Sequence, residues 1–258
     1  MKYAVMSLSG GMDSTSLLLR LISDGYQVSC YTYDYGQKHS IEIERAKDNI
    51  EYLNRKNIEV YHEIIDIKSA MMSFNSSLID NKSKIPEGHY ESKQMKSTVV
   101  PNRNAIFSSI LYGHALSISS KFNCDVIIGL GVHSGDHEIY PDCRPEFYNA
   151  LDIAFRLGNW GSERISFHLP YLNGDKKTIL SDALNCCTEL GLDFETIFKN
   201  TNTSYNPDSQ GRSSGKSGAD IERILAFHEI GIKDPVEYTE GWNNVLKNAL
   251  IILKEHEG

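Results

Sequence analysis

Two hydrophobic rhythms alternate along this chain: short apolar runs of strand length, and longer stretches with apolar positions every three or four residues. Tyr3, Ala4, Val5, Met6 and Leu8 predict a buried strand, and Gly10 and Gly11 break it before Asp13 and Ser14 open an amphipathic helix. Leu17, Leu18, Leu21 and Ile22 give that helix its face up to Ser23, and Asp24-Gly25 ends it. The run Gln27 to Asp34 alternates β-formers and predicts a second strand, so the opening is a βαβ unit and the start of a parallel sheet. A helix follows from Ser40 to Asn54, with Ile43, Ala46, Ile50 and Leu53 on one side, then a third strand from Glu59 to Ile65. Between Asp66 and Thr98 the rhythm is lost, which is expected of either a lid or an inert insertion. It resumes after Pro101, where Asn102 is placed to cap a helix bearing Ile106, Ile110, Leu111, Ala115 and Ile118. The near-continuous apolar run Asp125 to Leu130 predicts a central parallel strand. Beyond it the pattern gives a helix over Pro145 to Leu157 with proline in its first turn, a short strand over Ser166 to Leu172, and helices over Lys177 to Leu190, Ala219 to Glu229 and Glu240 to Lys254. No internal repeat or coiled-coil heptad is present.

Chemistry concentrates where the predicted strands end. A strand, a tight glycine turn and a helix start within a dozen residues aim backbone N–H groups and a positive helix end at one point, which suits phosphate. Ser9 and Ser14 add hydroxyls there. No lysine follows the glycines at the Walker A offset, GxGxxG is absent, and SGG by itself also suits a plain turn with a helix cap. The stretch YDYGQKH, Tyr33 to His39, lies just past the second strand, where open α/β sheets bind ligands. The polar segment GVHSGDHEIYPDCRPEF follows the central strand, and Pro141 and Pro145 restrict its backbone around Asp142, Cys143 and Arg144. Cys143 has no recognisable base and reads as a buried thiol, and His133 and His137 lack a third ligand for metal. Lys176-Lys177, at a helix start, suits either phosphate or a solvated first turn.

Composition narrows the class. At 258 residues and 40% hydrophobic content the chain can bury one large core, and a single domain over 1–258 is expected. There is no run of 18 uncharged apolar residues and no charged-then-apolar leader, so a cytoplasmic protein without membrane attachment is expected. A net charge of −8 argues against a broad nucleic-acid-binding face. The five cysteines are an odd set without a CxxC pair, consistent with reduced thiols.

The hexapeptide Ser9-Gly10-Gly11-Met12-Asp13-Ser14 resembles the SGGxDS loop of the N-type ATP pyrophosphatases, which split ATP into AMP and pyrophosphate to activate a carboxyl or carbonyl group. SGGMDS, YDYGQKH, VPNRN, YPDCRPEF and GIKDPVEY together, in order, resemble QueC, the 7-cyano-7-deazaguanine synthase family, over nearly the full chain. The resemblance implies an α/β fold, a Rossmann-like doubly wound parallel sheet of the adenine nucleotide alpha-hydrolase type, with 66–98 as a lid or insertion and a helical C-terminal region over 200–258. It implies an ATP-dependent ligase: ATP adenylates the carboxylate of 7-carboxy-7-deazaguanine, ammonia gives an amide, and a second ATP dehydrates the amide to the nitrile. Ser9, Gly10, Gly11, Asp13, Ser14 and Lys38 are then expected to hold ATP, with Mg²⁺ screening its charge and Asp13 either capping the loop or reaching that ion through water. Asp13, Ser14 and Arg103 are the expected catalytic residues. Tyr35, Gln37, His39, Asn104, Asp142 and Arg144 are expected to hold the deazaguanine, Asp142 by accepting two N–H bonds from its amidine edge. A homodimer is implied, with no nucleic acid.

The chain departs from that family in its C-terminal region, where the family carries four cysteines in a pattern resembling SCY followed by CGxCxxC, a structural Zn²⁺ site. The corresponding positions are Ser204, Ser214, Ser217 and Asp220, and neutral hydroxyls bind Zn²⁺ poorly, so no zinc is expected. With Ser, Gly and Asn dominant from Asn202 to Gly218, mobility of that segment is expected. Two alternatives stay open: conjugation of the activated deazaguanine to a protein amine in a phage-defence role, and a non-catalytic nucleotide-binding scaffold.

Overall fold

A computed structural model describes residues 1–37, 41–79, 97–133, 135, 140–204, 208 and 210–257. Five strands form one parallel sheet in the order β3-β2-β1-β4-β5, where β1 is Lys2–Ser7, β2 Tyr26–Asp34, β3 Tyr61–Asp66, β4 Val126–Gly129 and β5 Ile165–His168. The chain winds outward from β1 through β2 to β3, then returns to the other side of β1 for β4 and β5. This is the expected doubly wound α/β architecture, and its order reverses between β1 and β4, the place where such sheets bind ligands.

Strand alternation distributes the core. Ala4 and Met6 of β1, with Leu8 just beyond it, pack on one face of the sheet against α1 (Met12–Ser23), α2 (Ile41–Arg55), α6 (Lys176–Leu190), and the short α7 (Phe194–Lys199). Val5 faces the other way, toward α4 (Arg103–Phe122) and α5 (Pro145–Gly158). Both faces of β1 are thus covered, which explains its unbroken apolar run. A short helix, α3 (Lys68–Met71), follows β3. Near the C-terminus α8 (Gly218–Glu229) and α9 (Trp242–Glu257) enclose a smaller cluster of Ile221, Ile224, Tyr238, Val245 and Ala249.

Several expectations change. Asn102 occupies the start of α4, but with φ 58° and no side-chain cap bond. The last strand ends at His168 and not Leu172, because its partner β4 stops at Gly129, paired with His168, and Pro170 lacks an N–H for continuing a ladder. Helix α7 was not anticipated; Asp193 caps it by accepting from the Thr196 amide at 3.1 Å. Most of the expected lid, 80–96, lies outside the described residues. The two ends that flank it are joined, with Ser77 N donating to Ser97 O at 2.8 Å and the Ser76 hydroxyl to Thr98 O at 3.2 Å.

Candidate active site at the sheet switch point

The loop between β1 and α1 is fixed by its own side chains. Gly11 N donates to Ser9 Oγ at 3.2 Å, Ser14 Oγ donates to Gly11 O at 3.2 Å, and the two serine hydroxyls lie 3.0 Å apart. The first helical bond runs from Thr15 N to Gly11 O, leaving the amides of Met12, Asp13 and Ser14 ahead of it for a ligand. Gly10 serves packing: at φ 81°, a Cβ there would lie 2.0 Å from the Glu42 carbonyl oxygen, so the loop can rest on the first turn of α2 only with glycine. Gly131, beyond β4, closes the other side, where a Cβ would come within 3.0 Å of the Asp13 carbonyl carbon.

Asp13 does not cap the loop. Its Oδ2 takes a 2.6 Å salt bridge from Lys176 and stands 4.0 Å from Nε2 of the buried His133. Burial pushes its carboxyl up, but Lys176 and then His133 outweigh that and hold it below the usual carboxylate range. Lys176 is therefore no solvated first-turn residue. The cap of Asp175, which accepts from Thr178 N at 2.7 Å, starts α6 one residue earlier than expected and turns Lys176 inward, while Lys177 pairs outside with Glu229 at 3.8 Å. Asp13 Oδ1 is buried and has no hydrogen-bond partner among the described residues, and such an oxygen suits Mg²⁺.

From this loop a cavity extends to an aromatic wall. Tyr33 and Phe107 stack with centroids 4.0 Å apart, and Tyr35, Tyr140 and Tyr148 line the same space. Gln37 closes the turn after β2, accepting from Tyr35 N at 3.0 Å and donating to Tyr33 O at 3.2 Å. Arg103 lines the cavity and hydrogen-bonds the Tyr35 hydroxyl. Asn104 ties α4 to the YPDCRPEF segment, its amide N donating to Asp142 Oδ2 at 3.4 Å and its Nδ2 to Asp142 O at 3.3 Å. Ser9, Gly11, Asp13, Ser14, Tyr35, Gln37, Arg103 and Asn104 thus converge on one cavity, whereas Asp142 and Arg144 do not line it. The Asp142 carboxylate instead meets the N-terminus of α4, a favourable place for negative charge, so reading of a base edge by Asp142 does not fit this geometry. Lys38, His39 and His137 lie outside the described residues.

Sequence reasoning missed Glu42, Asn202, Thr203 and Glu222, all of which line the cavity. Glu42 sits in the first turn of α2, five residues past Gln37, where only the close approach of Gly10 marks it. Its carboxyl is pushed up to about 7 by burial, against the opposing pull of Arg103 and a hydrogen bond from Asn202. The surface it retains faces the cavity.

Asn202 owes its place to the C-terminal segment. Its N–H donates to Gly10 O at 2.9 Å, and its neighbour Thr201 is held by Arg223 of α8, whose Nη1 donates to Thr201 Oγ1 at 2.7 Å. Arg223 is fully buried in a two-point ion pair with Asp234, at 2.6 and 2.9 Å, and Tyr238 donates to the same carboxylate at 2.7 Å. The motif GIKDPVEY is therefore a structural lock. Beside it, the expected mobility of 202–218 does not hold for its described residues. Asp220 Oδ2 accepts from the hydroxyls of Ser204 and Ser214, each at 3.1 Å, and from Ser217 N at 3.3 Å. Ser217 Oγ accepts from Asp220 N at 3.1 Å, completing a capping box on α8. One carboxylate with three hydroxyls, already bonded among themselves, does not fit a zinc ion.

The family model of the queuosine biosynthesis protein QueC matches residues 3–231. The 7-cyano-7-deazaguanine synthase 2 of Colwellia psychrerythraea is 41% identical over 240 residues, covering 93% of this chain and 100% of that protein. A 7-cyano-7-deazaguanine synthase of Methanoregula boonei is 40% identical over 235 residues, covering 91% of this chain and 98% of that one. Among solved structures, a 4-thiouridine synthetase in complex with RNA and ATP has a TM-score of only 0.42 at 15% identity, over 97% of this chain and 53% of that chain. On the match across nearly its whole length, this chain belongs to the QueC family of queuosine biosynthesis proteins.

Proposed function

We propose that this protein is an ATP-dependent ligase that converts 7-carboxy-7-deazaguanine and ammonia to 7-cyano-7-deazaguanine. The observation that carries the reading is the joining, in one cavity, of the Ser9 to Ser14 loop with its lysine and the Tyr33, Tyr35 and Phe107 wall. The loop amides and Lys176 suit the triphosphate, and the stacked aromatics suit a flat heterocycle. Arg103, in the same lining, suits the carboxylate to be activated and the oxygen that gains charge as it reacts.

A carboxylate is a poor electrophile because its leaving group would be oxide. Transfer of AMP from ATP to that carboxylate, with release of pyrophosphate, supplies a stable leaving group. The protein then chiefly positions the reactants and stabilises charge. Asp13, with its unpartnered oxygen, would hold Mg²⁺ against the phosphates, and the bound ion would neutralise phosphate charge.

Incubation with ATP, Mg²⁺, the carboxylate and ammonia, followed by mass spectrometry, tests this directly. The nitrile is the expected product. AMP and pyrophosphate without the nitrile would overturn the synthase reading while leaving carboxylate activation in place, and absence of carboxylate-dependent pyrophosphate release would overturn both.

A further inference from the structure

Attack by ammonia on an acyl adenylate sheds a proton that must be accepted close to the acyl carbon. At neutral pH ammonia is also mostly ammonium, which has no free electron pair. The amine side of the reaction therefore needs a carboxylate or imidazole inside the cavity, near the group that holds the acyl oxygen.

The described lining offers few such groups. Asp13 is committed to Lys176 at 2.6 Å on the phosphate side. Glu222 lies beside His133, on the Asp13 side, its Oε1 3.0 Å from where a Cβ on Gly135 would be. Glu42 differs from both. It enters from α2, under the glycine turn of the nucleotide loop, and lines the cavity together with Arg103 of α4 and Asn202. Asn202 is itself fixed, its amide N–H on Gly10 O at 2.9 Å and its Nδ2 on Ser204 O at 3.0 Å. A substrate carboxyl held by Arg103 would lie in the same cavity as Glu42.

Resting on the activation chemistry above, we propose that Glu42 and Asn202 form the amine subsite of this cavity, with Glu42 as the general base for attack on the activated carboxyl. The nitrogen lone pair adds to the acyl carbon, forming the C–N bond. The C–O bond to AMP then breaks, its electron pair leaving with AMP, and the proton lost by nitrogen passes to the Glu42 carboxylate and on to solvent. The charged and titratable groups acting on Glu42 among the described residues are Arg103 from α4 and Tyr35 from the end of β2. Arg45, one turn further along α2, pairs with Asp48 at 3.8 Å. Burial raises the Glu42 carboxyl to about 7, so the group can both bind a proton and release it near neutral pH.

Two nucleophiles separate this role from mere packing. Hydroxylamine is largely neutral near pH 7 and strongly nucleophilic, so it needs little help from a base. In Glu42→Gln, capture of the adenylate by ammonia is expected to fall roughly 10²-fold or more. Hydroxamate formation and carboxylate-dependent ATP–pyrophosphate exchange are expected to stay within a few-fold of wild type. The wild-type ammonia rate, expressed per free ammonia, is expected to fall on the acid side of about pH 7, and Glu42→Asp to recover part of the loss. Equal losses with ammonia and hydroxylamine, or an undiminished ammonia rate, would overturn the assignment. Should Glu42→Gln lose exchange as well, the wild-type profile decides: an acid limb shared by ammonia and hydroxylamine counts against Glu42. Absence of carboxylate-dependent exchange in the wild type would remove the activation chemistry and this assignment with it.

Discussion

Lys176 reaches Asp13 across 163 positions of sequence, and on the proposed reading the pair sets the charge that ATP would meet. The lysine balances the Asp13 charge, so incoming phosphates would meet a neutral ion pair and not an isolated carboxylate. Lys176→Met is expected to slow carboxylate-dependent pyrophosphate exchange by roughly 10²-fold or more, as for loss of a charge that stabilises a transition state. Exchange kinetics at saturating ATP would check this, and a loss confined to KM would limit Lys176 to ground-state binding. Glu42 makes a second prediction, in stability. Its folded pKa is raised from 4.5 to about 7, so its contribution is fully present below about pH 4.5 and is lost as pH rises through about 7. The wild type should accordingly lose stability relative to Glu42→Gln between those values, by up to about 3 kcal/mol at 1.36 kcal/mol per unit. Urea unfolding of both proteins at pH 5 and pH 8 would measure it, and parallel midpoints would refute it. The sequence made Asp13 legible through its motif. It left Lys176 and Glu42 ambiguous, because a lysine at a helix start and a glutamate in a first turn are ordinary until the tertiary fold turns them inward.

At the level of elements, apolar rhythm alone located the strands and long helices, since burial on both faces of β1 and one face of each helix imposes it. It could not show how 200–217 is held, because that segment uses side-chain hydrogen bonds, which leave no periodic trace. The family resemblance grouped Ser204, Ser214, Ser217 and Asp220 only as the positions of a missing zinc site, and hydrogen bonds join the four instead. Two outcomes follow. A strong zinc chelator is expected to leave the thermal midpoint unchanged, whereas Asp220→Ala, which strands those hydroxyls, should lower stability by roughly 1–3 kcal/mol; a chelator-induced drop would contradict the hydrogen-bonded account. The buried ion pair is more demanding. Asp234→Ala leaves Arg223 uncompensated and should cost about 3–5 kcal/mol in denaturant unfolding, and a cost below about 1 kcal/mol would show that Arg223 finds another partner.

Across the whole molecule, the sheet order places residues from both halves of the chain around one opening. The reversal between β1 and β4 leaves a crevice that the first loop enters from one side and Gly131 and Val132 from the other, while Lys176 and Asn202 come from still later segments. The βαβ start made a parallel sheet legible from sequence. The closure by Arg223, Asp234 and Tyr238 was not, because a buried arginine has the same letter as a solvated one. That lock also has a temporal meaning. Translation delivers the first loop well before Asp234, which lies more than two hundred residues further along, so a nascent chain holds the glycine turn without the anchor that seats Asn202. Order of synthesis thus leaves the wall that Asn202 forms without its anchor until the segment carrying Asp234 has followed, so the first loop is made long before the support it packs against.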